Sequence, residues 1–122
     1  MDFSRYVEAH TINVKLENDN VDLIKNYLPK HYVEIKNTRF VGKENNLFVY
    51  EVVYTTYSHI SYEALVNSLV RQQYPESEEF KILREAINNG VTAEYQVYNT
   101  YVEQCKLQAK EWVANRDSLL NT

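Results

Sequence analysis

The sequence predicts an α+β fold: an N-terminal antiparallel sheet with a long hairpin, followed by two or three C-terminal helices, the last of them long. Three observations carry this. Apolar residues alternate with polar ones over residues 12–16, the period of a half-buried strand, and two runs rich in β-branched and aromatic residues follow. From Ser58 onward apolar residues recur at i, i+3, i+4 and i+7, the period of a helix buried on one side. Only two glycines and two prolines punctuate 122 residues, so flexible linkers and low-complexity segments are not expected. One domain over residues 1–122 follows, with 1–58 mainly antiparallel β plus one short helix and 59–122 helical.

In chain order, Ile12, Val14 and Leu16 face one side and Asn13 and Lys15 the other, which makes a strand. Residues 17–20 (ENDN) turn, and Asn20 caps a short helix with Val21, Ile24, Tyr27 and Leu28 at helical spacing before Pro29. His31 to Val41 and Leu47 to Tyr57, rich in Val, Thr, Tyr and Phe, form a hairpin that turns through residues 42–46 (GKENN). On its second strand Phe48, Tyr50, Val52 and Tyr54 share one face, and Leu47, Val49 and Val53 the other. With both faces apolar, the expectation is helices on one side and a partner subunit on the other.

Ser61 then caps a helix striped by Tyr62, Leu65, Val66, Leu69 and Val70, ending at Tyr74-Pro75. Ser77 is expected to cap the next, with Phe80, Leu83 and Ile87 inward and Gly90 past its end. Thr92 starts the last helix, with Tyr98, Tyr101, Val102, Cys105, Ala109, Trp112, Val113 and Arg116 along one side. Uninterrupted to Thr122, it would reach ~40 Å, so a bend or an exposed end in an oligomer is expected.

The charge balance excludes one class of partner. At a net charge of −4 the chain lacks the basic stripe that a DNA or RNA polymer requires. One cysteine permits no intrachain disulfide, and neither a signal-peptide pattern nor a membrane-length apolar run is present, so the expected location is the cytoplasm. Catalytic and metal motifs are likewise not found. His10, His31 and His59 have no metal-ligand spacing, Cys105 sits on an apolar stripe, and two glycines cannot build a phosphate-cradling loop. No catalytic residue, metal ligand or cofactor is assigned.

What remains is a set suited to a phosphorylated aromatic ligand: Arg71 and Tyr74; Phe80, Arg84, Asn88 and Asn89; then Tyr95, Tyr98 and Arg116. Arginine forks bind phosphates and aromatic rings stack on bases.

Residues 61–112 contain SYEALVNSLVRQQYP, then REAIN, then EYQVYNTYVEQCKLQAK. With the plan of sheet first and helices after, this segment resembles the first-described Thoeris anti-defence family, phage proteins that sequester cyclic ADP-ribose-type signals made by bacterial TIR enzymes. The resemblance implies a homo-oligomer built from dimers that binds its nucleotide between subunits without cleaving it. Aromatic rings would stack on adenine and basic groups would hold the pyrophosphate. It further implies cyclic oligonucleotides as ligands at separate sites in some members, and action in the infected cell's cytoplasm. The alternative is a phage structural or tail-assembly protein acting through helical contacts. An enzyme is the least supported class, because no base–nucleophile pair can be named.

Overall fold

The computed structural model describes residues 1–121. It is α+β, with antiparallel strands first and helices after: β1 (Val7–Leu16), β2 (His31–Glu44), β3 (Leu47–Tyr57), α1 (Tyr62–Gln73), α2 (Glu76–Asn89), α3 (Ala93–Asp117) and β4 (Leu120–Asn121). The chain falls into two compact units. One comprises residues 3–59 with 115–121, and the other residues 1–2 with 60–114.

The first unit is the sheet, in the order β1-β3-β2-β4, with every neighbouring pair antiparallel. β1 and β3 pair without irregularity from Val7↔Tyr57 to Leu16↔Phe48. Directly opposed residues share a face, so Val14, Leu16, Tyr50, Val52 and Tyr54 all point to one side. Ile24 and Leu28 complete this core together with Val33. Ile24 comes from the short helix expected after Asn20, which is a 3₁₀ segment, Val21–Tyr27, whose first turn is capped by Asn20 Oδ1 accepting from the Asp22 amide at 3.1 Å. Of the four residues at helical spacing, Val21 and Tyr27 are exposed.

The hairpin turns tightly. Asn45 and Asn46 have φ of 53° and 68°, and Glu44 pairs with Leu47. Two consecutive positive-φ residues fit the right-handed twist of the flanking strands, and asparagine tolerates that region better than most residues. β2 carries two register shifts, Ile35/Asn37 and Phe40/Gly42, and Gly42 adopts a φ of 148° at the second.

The second face of the sheet differs from expectation. Val49 and Val53 of β3 do lie there, but their neighbours on β1 and β2 are Thr11, Asn13, Lys15, Asn37 and Arg39. Lys15 reaches Glu44 at 3.2 Å across β3, and Arg39 pairs with Glu51 at 3.4 Å. Long polar side chains cover the apolar middle strand with their stems.

In the helical unit, Ser61 Oγ accepts from the Ala64 amide at 3.2 Å, as expected of a cap, and Thr92 Oγ1, read as the start of the last helix, accepts from the Tyr95 amide at 3.1 Å. Its buried residues are Leu65, Leu69, Val70, Ile82, Tyr98, Cys105 and Ala109. Two expectations fail on α2. Its N-cap is Pro75 rather than Ser77, and proline at that junction sets the extended backbone from which the helix starts. Its inward apolar residue is Ile82, while Phe80, Leu83 and Ile87 are exposed at 67%, 38% and 84%. α3 runs 25 residues, about 38 Å, and stops at Asp117 instead of continuing to Thr122. The chain then adds β4 to the outer edge of β2.

Candidate ligand-binding surface

The nine residues proposed from sequence separate into three groups. Arg71, Tyr74, Tyr95 and Tyr98 come together in the helical unit around Glu79. Arg71 Nη2 donates to Glu79 Oε1 at 2.8 Å and its Nη1 to the Tyr74 carbonyl at 3.3 Å. The Tyr98 hydroxyl donates to the other Glu79 oxygen. Tyr74 packs edge-on against Tyr98 with centroids 5.2 Å apart, and Tyr95 lies 6.4 Å from Tyr98.

Electrostatics makes this network self-sufficient. The Arg71 guanidinium, then the Tyr98 hydroxyl, hold the Glu79 carboxyl below its ordinary range despite partial burial. Burial, then Glu79, push the Tyr98 phenol well above its usual value, so it stays a donor. Both Arg71 forks are occupied inside the chain. These residues fasten α1, α2 and α3 to one another.

The second group faces outward. At about 100° per residue, Leu83, Ile87, Phe80, Arg84 and Asn88 fall within a sector of roughly 140° on α2. Lys81 borders it, whereas Glu78, Glu79 and Glu85 lie on the opposite side. Glu76, at the N-terminal end, is its acidic exception. No hydrogen bond or ion pair engages Arg84 among the described residues. Asn89, the last residue of α2, is exposed but falls on the side of the helix away from this face. An aromatic ring, an unengaged guanidinium and a carboxamide on one ridge can respectively stack on a base, grip a phosphate and hydrogen-bond a base edge.

No family model matches this chain, and no curated protein or solved structure proved similar to it.

The third group is Arg116 alone, which belongs to the sheet unit. It is 6% exposed, its Nη1 donates to the Ser58 carbonyl at 2.9 Å, and its guanidinium lies 4.5 Å from the centroid of the Tyr32 ring. The sequence offered no local signal for that pairing, since the two residues are far apart in the chain.

Two other features delimit the chemistry. A groove of about 350 Å³ is lined by Tyr74, Glu78, Ile82, Ala93, Glu94 and Val97. Its two carboxylates repel phosphate. In the sheet, His10 Nε2 lies 3.0 Å from Thr56 Oγ1 and 3.9 Å from Glu8 Oε2. Both partners sit at one imidazole nitrogen, whereas a nucleophile–base–acid relay uses opposite nitrogens. Among the described residues no three His, Cys, Asp or Glu side chains converge in a way that could hold a metal ion. No helix among them is long and apolar enough to cross a membrane.

Proposed function

We propose that this chain is a phage-encoded anti-defence protein that binds a cyclic ADP-ribose-type nucleotide and holds it uncleaved, removing it from host immune signalling. The observation that carries the reading is the outward ridge of α2, where Phe80, Arg84 and Asn88 stand together without an intrachain role. The resemblance of residues 61–112 supplies the ligand class. A convex ridge buries only one side of a nucleotide, and tight sequestration needs most of the ligand surface covered. The reading therefore requires a homo-oligomer, built from dimers, in which a second copy closes the site. Cyclic oligonucleotides are a further ligand class, and the infected cell's cytoplasm is the place of action.

Isothermal calorimetry of the purified protein with cyclic ADP-ribose isomers tests this. Saturable heat with full recovery of intact ligand supports it, and no heat at ligand concentrations well above micromolar overturns it. Phe80→Ala and Arg84→Ala should each weaken binding while leaving the fold intact.

One observation favours a second reading. Leu83 and Ile87 add an aliphatic stripe to the same ridge, and Val91 just beyond the helix is 68% exposed. An exposed apolar row at helical spacing also suits a protein groove. A phage structural or tail-assembly protein using it would form a stable complex with another phage protein and show no thermal shift with nucleotides.

A further inference from the structure

We infer that residues 115–121 form a strap that opens and closes over the start of β2 while the rest of the sheet stays folded, with Arg116 as its latch and Tyr32 as its catch. The inference is independent of the nucleotide reading and rests on the C-terminal segment of the sheet unit.

The strap's own pairing is slight. β4 contributes two residues, registered as His31↔Asn121 and Val33↔Leu120 with an irregularity between them. So short a strand does not hold itself to an edge. Leu120 adds one apolar contact, against the core cluster of the sheet. Arg116 adds to this hold. Its Nη1 bonds the Ser58 carbonyl, its Nε lies 3.2 Å from Asp117 Oδ1, and its guanidinium stacks on Tyr32. A buried guanidinium on an aromatic face is a strong, directional contact.

The catch is strained. Tyr32 has a φ of 55°, a left-handed conformation that costs any residue with a bulky side chain. The ring so placed lies 4.5 Å from the Arg116 guanidinium and 4.6 Å from the centroid of the His59 ring. Latching and strain therefore oppose each other at one residue, the arrangement of a two-state element. Opening lets Tyr32 relax to extended backbone. It also lengthens the outer edge of β2 that has no strand neighbour, from residues 34–44 to residues 31–44. The strap thus sets how much of that edge is presented to an added strand.

Hydrogen exchange followed by NMR on the full chain tests this. The Leu119 amide, bonded to the Arg116 carbonyl at 3.1 Å, and the amides of residues 31–33 should exchange at least about tenfold faster than that of Val52, the signature of local opening. Arg116→Gln should accelerate the first set further and leave Val52 unchanged. Exchange of all these amides in step with Val52, or no response to Arg116→Gln, overturns the strap. Should Arg116→Gln fail to fold, a chain ending at Asp117 decides. A cooperative fold with fast exchange at residues 31–33 supports the strap, and loss of the fold contradicts it.

Discussion

Arg71 in the last turn of α1 and Glu79 in the first turn of α2 form a 2.8 Å ion pair across the Tyr74-Pro75 junction. The pair fixes the angle at which α2 leaves α1. It turns Glu79 and Ile82 inward and leaves Phe80, Arg84 and Ile87 outside. The salt bridge thereby helps set which side of α2 is exposed.

Removing that pair should cost stability rather than ligand affinity alone. Both side chains are partly buried, and Glu79 also accepts from Tyr98. Arg71→Ala is expected to lower unfolding free energy by about 1.5–3 kcal/mol, the range for hydrogen bonds to charged groups. Urea denaturation measures it. The double variant with Glu79→Ala should lose less than the sum of the two single variants, because the two contributions are coupled.

The same carboxyl gives the stability a pH signature. Glu79 is held below its ordinary value of 4.5, first by Arg71 and then by Tyr98. A depressed folded-state pKa stabilises fully above the unfolded value and is lost as pH falls through the folded one. The contribution is therefore intact above about pH 4.5 and declines below it. Glu79→Gln should be less stable than the wild type at neutral pH and should lose less between pH 5 and 3, which thermal melts across that window would show.

On the outer ridge the expectation reverses. Phe80 and Arg84 are exposed, so Phe80→Ala and Arg84→Ala should change unfolding free energy by no more than about 0.5 kcal/mol. Loss of a stacking ring should nevertheless weaken nucleotide binding by about 1–3 kcal/mol, roughly tenfold or more. Denaturation and calorimetry on the same preparations separate the two quantities.

At the hairpin tip, Asn46 occupies a positive-φ position that glycine accepts at lower cost. Asn46→Gly, which supplies the Asn-Gly pair favoured in such turns, is expected to raise the melting temperature modestly. Asn46→Val, branched at Cβ in the same backbone, should lower it.

The strands were legible in the sequence because each has a single period and a decisive turn. Val14, Leu16, Tyr50 and Val52 alternate as a buried face requires, and two adjacent asparagines mark the reversal. The caps at Asn20 and Ser61 were equally plain, because each acts on an amide two or three residues away. α2 was misread for a physical reason. Its largest apolar residues are outside, and its inner side is built on a carboxylate that only Arg71 and Tyr98 make tolerable. Periodicity ranks Phe80 and Ile87 above Glu79 for burial, and the compensating partners lie on other helices.

The C-terminal end was beyond reach in the same way. Nothing local in residues 115–121 announces a strand, since β4 depends on the edge of β2 and on the Arg116–Tyr32 stack. The candidate site was half legible. Residue chemistry picked out Phe80, Arg84 and Asn88, which share the free ridge. It also picked out Arg71, Tyr98 and Arg116, whose polar groups are committed to holding the fold.

The most direct test is mass spectrometry of the small molecules released when the purified protein is heated after exposure to lysate containing the immune signal. Sequestration predicts intact cyclic nucleotide, close to stoichiometric with its binding sites, from the wild-type chain and little from the Phe80→Ala, Arg84→Ala double variant. Recovery of a linear cleavage product, or of no nucleotide from the wild type, would contradict it.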